Sequence, residues 1–465
     1  MRKTILLAFA LVAVAAMPAM ASVQNVKISG SIDSTWLLRD NFDLGASIIA
    51  DEGQNLFITQ AILRADADLT DNVSTTIALI NERAWGDTTN VSTDIDLLLA
   101  YVTLREMLYS PLTVVVGKQA FHYGNSFIID SAGANNAIPA DSGLSGIVGG
   151  DITKQTTQDA IRLIFDYEPL SVEVLVSKIN SRTNTAAIDD ARDDDVDLYG
   201  VNAGYEVGDS MNTQVEAYFF ARLDKLTAAS AANKSDTVYV PGLRASTNPI
   251  EGLNVQAEVA WQRGNRVATT GTIRDNEQRE AMGAQVIASY KVPVLEEYKP
   301  ILGYVYTYVS GDSNPDDRAL AGGGRQGSTN THTAWDPLFE NQAGGTIYNS
   351  LFDLSNSHIH LVSAQVNPIE DVTAKVSWTN IRLDKELRTG QAFALRTPST
   401  GGTAVGFNAG EKEVGNEVDV VGTYDYTEDV QFGANFGWFM PGDLFNTGAN
   451  EQVATQAIVH GNVNF

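Results

Sequence analysis

The chain has 465 residues, no cysteine, 44% hydrophobic residues and a formal net charge of -26. The missing cysteines exclude a disulfide framework and thiolate metal sites, and so acidic a chain lacks the open basic face of a nucleic-acid binder. Beyond the extreme N-terminus no apolar run approaches the roughly 18 residues of a spanning helix, so any membrane crossing falls to strands.

The first element is not part of the fold. Arg2 and Lys3 form a basic start, Ile5 to Ala16 an apolar run, and Ala19-Met20-Ala21 a small-x-small cleavage site. Residues 1–21 are therefore read as a secretory signal peptide, and 22–465 as a single domain.

From there the apolar/polar alternation predicts about 18 strands and almost no helix. In chain order they fall at 26–40, 54–69, 73–83, 94–106, 112–120, 158–168, 170–180, 195–207 and 211–222. The series continues at 236–247, 253–263, 278–292, 298–310, 354–367, 372–382, 413–426, 430–439 and 452–465. Most are 9–14 residues long, near the ~9–11 that a tilted strand needs to cross a bilayer. Every second link is a tight turn rich in Asn, Asp, Gly or Pro, such as Thr70-Asp71-Asn72, Glu168-Pro169 and Gly208-Asp209-Ser210. These residues supply left-handed or fixed φ. The links between are long, notably 121–157, 181–194, 311–353 and 383–412. Short turns on one rim and long loops on the other predict an all-β, antiparallel up-and-down barrel of the outer membrane, with both termini on the short-turn side.

Parity then assigns faces. In 54–69, Phe57, Leu63 and Leu69 share one face, while Gln60, Arg64, Asp66 and Asp68 share the other. Charge on the lipid face is costly, so the charged faces are placed in the lumen. The same reading turns Arg105, Arg162, Arg222, Arg244, Arg279, Arg382, Glu173, Glu216, Glu258, Glu417 and Asp419 inward, and Val414, Val418, Val420, Tyr424 and Tyr426 outward. Of these, Arg64, Asp66, Asp68, Arg105, Arg162, Arg222, Arg244, Glu258, Arg382, Glu417 and Asp419 are the candidate pore-lining residues. Both charge signs face inward, which predicts a wet interior without picking an ion preference. Trp36, Tyr101, Tyr167, Tyr205, Tyr290, Trp378, Tyr424, Tyr426, Trp438 and Phe465 are expected in interfacial aromatic girdles.

Enzymatic signatures are scarce. The five histidines, His122, His332, His358, His360 and His460, include no HExxH pair, and no GxSxG or P-loop occurs. His358 and His360 share a strand face and are read as polar lumen residues, with no metal or other cofactor expected. The acidic run Asp189 to Asp195 lacks the glycine and terminal glutamate of an EF-hand loop and reads as a solvated outer loop. The final strand, Val453 to Phe465, puts His460, Asn462 and Asn464 on its lumen side and ends on an aromatic residue. Barrels of this class close on such a strand.

Three segments resemble the alginate export family of outer-membrane barrels: Val116-Gly117-Lys118-Gln119-Ala120-Phe121-His122-Tyr123-Gly124-Asn125; Ser310-Gly311-Asp312 with Trp335-Asp336-Pro337-Leu338-Phe339; and Gly415-Asn416-Glu417-Val418-Asp419 with Phe439-Met440-Pro441-Gly442. The resemblance implies an 18-stranded monomer that passes an anionic saccharide or uronate. It also implies recognition of Phe465 by barrel-assembly machinery. The chain departs from the family pattern at Lys118, where Arg is usual, at Asn125, where Asp is usual, and at Phe127, where Arg often stands. The basic conduit is thinned accordingly. The expected function is passive outer-membrane passage of small polar or charged solutes, among lipid and lipopolysaccharide, with 121–157 and 311–353 folding inward. A structural or adhesive barrel with a closed lumen is the alternative.

Overall fold

The computed structural model describes residues 25–45, 53–86, 95–108, 110–130, 150–180, 196–225, 235–270, 273–312, 331–341, 346–388, 393–395, 403–445 and 452–465. The expected signal peptide and the acidic run up to Asp195 lie outside them.

Eighteen long strands form one closed antiparallel sheet. They are β1 (Asn25–Asp40), β2 (Gln54–Thr70), β3 (Val73–Ala84), β4 (Asp96–Leu104), β5 (Leu112–Gln119), β6 (Gln158–Asp166), β7 (Leu170–Asn180), β8 (Val196–Glu206) and β9 (Gln214–Lys225). Then follow β10 (Ser235–Ile250), β11 (Leu253–Thr270), β12 (Ile273–Lys291), β13 (Ile301–Val309), β14 (Ser357–Ile369), β15 (Val372–Leu383), β16 (Glu413–Asp425), β17 (Val430–Pro441) and β18 (Ala454–Asn464). Each pairs with its sequence neighbours, and β1 pairs with β18 from Ser31↔Asn464 to Asp40↔Thr455. Closure removes the sheet edge, so every strand's backbone groups are satisfied where no water can serve them.

The closing seam is tight. Gly30 and Phe465 exchange backbone hydrogen bonds of 2.8 and 3.0 Å. A side chain at Gly30 would collide with the Phe465 ring, its Cβ falling 2.6 Å from Cζ.

The outer wall carries the apolar parity set, including Phe57, Leu63, Val176, Val286 and Val420, all more than a third exposed in the isolated chain. So broad an apolar surface marks a membrane-facing wall. Outward aromatics band it at both ends. Trp36, Phe57 and Trp85 stack in series, and Tyr424, Tyr426 and Phe432 cluster edge to face near the short turns. Tyr101 departs from the expected girdle: its parity partner Val102 is outward, and Tyr101 lies in the lumen beside Arg64.

The upper lumen departs further from the expected wet interior. It holds an apolar core in which loop residues Phe42, Leu44, Phe121, Phe127, Ile128, Ile129, Trp335 and Leu338 pack on inward strand residues such as Leu198, Phe220, Val240, Ile359 and Ile381. A short helix, α1 (Thr346–Leu351), adds Ile347, Tyr348 and Leu351 to it. Segments 121–130 and 331–341 do fold inward, as expected: the first closes on itself through a bridge at His122↔Asp130, and the two meet in a parallel bridge at Ile129↔Phe339. Burying these side chains inside the barrel follows the same apolar gain as any core, about 25 cal/mol per Å² removed from water.

Candidate channel lumen

The plug is held to the wall by charge. Asp336 receives both guanidinium nitrogens of Arg222 (β9), at 3.0 and 2.7 Å, and lies 3.3 Å from Arg279 (β12). Arg279 also grips Asp236 (β10) at 2.8 and 3.0 Å. Gln262 (β11) closes the site by bonding both backbone groups of Asp336, at 2.6 and 2.8 Å. Burial alone would raise the Asp336 carboxyl, but the two guanidinium groups outweigh it and hold the acid below its ordinary range.

Behind this anchor Phe127 and Trp335 stack at 5.5 Å, seated over Gly283. A Cβ at Gly283 would stand 2.8 Å from the Phe127 ring and 3.0 Å from the Trp335 ring. Only a residue without a side chain lets both rings reach the wall.

A second anchor holds α1. The carboxylate of Glu417 (β16) accepts the backbone N–H groups of Ile347 and Tyr348 at 2.8 and 2.7 Å, and Asp419 accepts the Thr346 hydroxyl at 2.7 Å. Unsatisfied N–H groups at a helix start attract anions in this way. On the opposite flank Arg39 (β1) forks onto Asp151 at 2.9 and 2.7 Å, and Asp151 also accepts Ser350 Oγ at 2.8 Å. Burial opposes this carboxylate too, and Arg39 again lowers its pKa on balance.

The underside of the plug meets a polar wall. Tyr123 donates its hydroxyl to Glu173 (β7), which Arg162 (β6) clamps at 2.6 and 2.9 Å. Burial, then the Glu173 charge, raise the Tyr123 hydroxyl pKa and keep it a donor. Arg244 (β10) binds Glu216 (β9) and donates to Gln256 (β11) at 2.8 Å and to Asn125 at 3.3 Å. Tyr218 donates to Glu258 at 2.7 Å. Nearer the short turns Arg64 forks onto Asp66 at 2.7 and 2.9 Å. A recess of about 740 Å³ opens there against Asp166, Glu168, Ser171, Glu206, Gln214 and Glu216.

The candidate residues therefore separate into groups. Arg64, Asp66 and Asp68 face the lower lumen, Arg162 and Arg244 the underside of the plug, and Arg105 sits in the turn after β4 at the rim. Glu258, Arg222, Glu417 and Asp419 face inward but are sealed beneath loops: Glu417 is 0% and Asp419 2% exposed. Asp336, Asp236, Arg39 and Asp151 carry the anchoring and were not among the candidates. Only Asp336 had a signal, its place in the Trp335-Asp336-Pro337 motif.

Three assignments are overturned. Arg382 points outward, on the face of Val376 and Trp378, while Ile381 and Leu383 enter the core. His358 and His360 are likewise outward, and Ser357 and Ile359 inward. Val414 is not lipid-facing: a register shift between Ile381 and Arg382 leaves it unpaired, and it is buried in the plug core. Arg382 and the two histidines share one cause. Near the long-loop rim the interior is apolar and the exterior is polar, so alternation read as greasy-out inverts.

An 18-stranded, closed antiparallel barrel plugged by its own long loops is an outer-membrane channel fold. The family model for alginate export matches residues 24–459, and the chain belongs to that family of the bacterial outer membrane. No curated protein matches it in sequence. Among solved structures it is similar to Pseudomonas aeruginosa OccK2 (OpdF) in complex with glucuronate, at 11% identity and a TM-score of 0.52, covering 95% of this chain and 99% of that one. It is also similar to Pseudomonas aeruginosa OpdK with vanillate, at 9% identity and a TM-score of 0.54, covering 95% and 100%. The three motifs that carry the family resemblance supply the plug and its anchorage to the wall. The first supplies Tyr123 and Asn125, the second Trp335 and Asp336, the third Glu417 and Asp419.

Proposed function

We propose that this channel passes small hydroxylated solutes bearing a carboxylate, with uronate-sized sugars among them, and performs no chemistry on them. The observation that carries the reading is the pairing of Arg244 with Glu216, Gln256 and Asn125, together with that of Arg162 with Glu173, where plug and polar lumen meet. Each pair offers guanidinium donors for a carboxylate, which Arg binds in fork geometry, and acceptors for sugar hydroxyls. The two structural relatives hold glucuronate and vanillate, both carboxylates, which supports the same class. Because every one of these arginines already has a protein carboxylate, passage here works by exchange of partners and not by a free basic ladder. The barrel acts as a monomer in contact with outer-leaflet lipid, assembled through Phe465.

Liposome swelling tests this reading. Glucuronate is expected to enter faster than a neutral disaccharide or lysine, and Arg244→Gln to slow glucuronate alone. Equal rates for all three solutes would remove the carboxylate preference. A second reading, a scaffold barrel with a closed lumen, draws on the apolar plug; absence of swelling with every solute would favour it.

A further inference from the structure

His358 and His360 belong to a polar patch on the wrong side of the wall for transport. On the outer surface, Tyr304, Tyr306 and Tyr308 of β13 interleave with His360 and His358 of β14. Ring centroids are 4.7 Å apart for Tyr306 and His360 and 4.9 Å for Tyr308 and His358. Tyr304 Oη lies 3.0 Å from His360 Nδ1, and Tyr306 Oη 2.8 Å from His358 Nδ1. With the hydroxyls donating, each neutral imidazole carries its proton on Nε2, directed away from its tyrosine.

Cations stand beside this stack. Arg382 on β15 pairs in register with His358. It is exposed and makes no side-chain ion pair among the described residues. Lys385 follows at 47% exposure. Two carboxylates are near. Asp384 is occupied, accepting the Gly311 N–H at 2.9 Å and lying 3.6 Å from His358 Nε2 and 3.5 Å from Lys385 Nζ. Glu413 is the register partner of Arg382 without forming an ion pair with it.

Depth along the wall fixes what this patch meets. Trp378 faces outward four residues before Arg382 on the same strand, so Arg382 lies about 13 Å further along it. Tryptophan marks the interface level of a membrane wall. An arginine and two imidazoles in the hydrocarbon would be costly. Beyond the tryptophan, on the long-loop side, they stand among outer-leaflet head groups. There the abundant anionic chemistry is the phosphate of a glycolipid, and basic pockets on membrane walls select such groups.

We propose that Arg382, Lys385, His358 and His360 form a seat for a phosphate of an outer-leaflet glycolipid, with Tyr306 and Tyr308 holding the imidazoles in place. The seat is independent of the transported solute.

The test uses the full-length barrel in detergent, titrated with bisphosphorylated lipid A, dephosphorylated lipid A and inorganic phosphate, with binding read by native mass spectrometry. The Arg382→Ala/Lys385→Ala variant is expected to lose at least about tenfold in affinity for bisphosphorylated lipid A, about 1.4 kcal/mol. The dephosphorylated form should bind both proteins equally. Arg83→Ala, an exposed arginine elsewhere on the barrel, should change nothing, and His358→Gln/His360→Gln should weaken binding by a smaller factor. Unchanged affinity in the Arg382/Lys385 variant, equal binding of the two lipid A forms, or a change in oligomeric state in place of lipid retention would each overturn the proposal. Inorganic phosphate binding as tightly as lipid A would overturn the lipid assignment as well.

Discussion

Phe127 and Trp335, 208 positions apart in the sequence, stack at 5.5 Å with planes 14° apart inside the barrel. That contact joins the loop after β5 to the loop after β13, and it turns two long links into one plug. Removing either ring leaves a hole in a buried core, which typically costs 3–5 kcal/mol for an aromatic-to-alanine change. Trp335→Ala is expected to raise single-channel conductance and its noise while leaving the barrel folded, as judged by heat-modifiable gel mobility.

Gly283→Val tests the same contact from the wall side. With Phe127 at 2.8 Å and Trp335 at 3.0 Å from the added Cβ, the plug must move away from the strand. Protease cleavage within 331–341 should become faster than in wild type, with conductance rising in parallel.

Glu417 is the wall's hold on α1. Glu417→Ala leaves the Ile347 and Tyr348 amides, bonded now at 2.8 and 2.7 Å, without an acceptor in a buried site. The cost is about 1–3 kcal/mol for each orphaned group. Amide exchange at Ile347 and Tyr348 should accelerate by roughly tenfold or more, with little change at β-strand amides.

Acid should release the Asp336 anchor late. The carboxyl is held below its ordinary value, burial opposing and Arg222 and Arg279 prevailing. A depressed folded pKa contributes stability in full above the unfolded value, about 3.9, and loses it as pH falls through the lower folded value. Conductance should therefore hold steady down to about pH 4 and rise below it. Asp336→Asn should show the raised conductance already at neutral pH, because Arg222 and Arg279 are left with an uncompensated share of buried charge.

Much of this architecture was legible in the sequence. Alternation located all eighteen barrel strands, and the short-turn and long-loop asymmetry gave closure and orientation. Parity succeeded along most of the wall that separates lipid from water, as at Phe57 and Leu63 against Arg64 and Asp66, with Tyr101 an exception beside a register shift in β4. It failed at His358, His360 and Arg382, where a plug makes the interior apolar and head groups or solvent make the exterior polar, and at Val414, where a register shift turns the strand. Hydropathy cannot distinguish those two environments without knowing what fills the lumen. Plug anchors such as Arg39 with Asp151, or Arg279 with Asp236, were hidden for another reason. They pair residues far apart in the chain, and nothing local marks one Asp in a loop as the partner of an Arg on the wall.

The central claim, a channel limited by its own loops, is tested most directly in planar bilayers. Recordings would compare wild type with a chain in which 121–157 and 311–353 are replaced by short Gly/Ser linkers. Small, flickering steps for wild type and large, steady steps for the shortened chain are the predicted result. No conductance from the shortened, folded barrel would contradict the account.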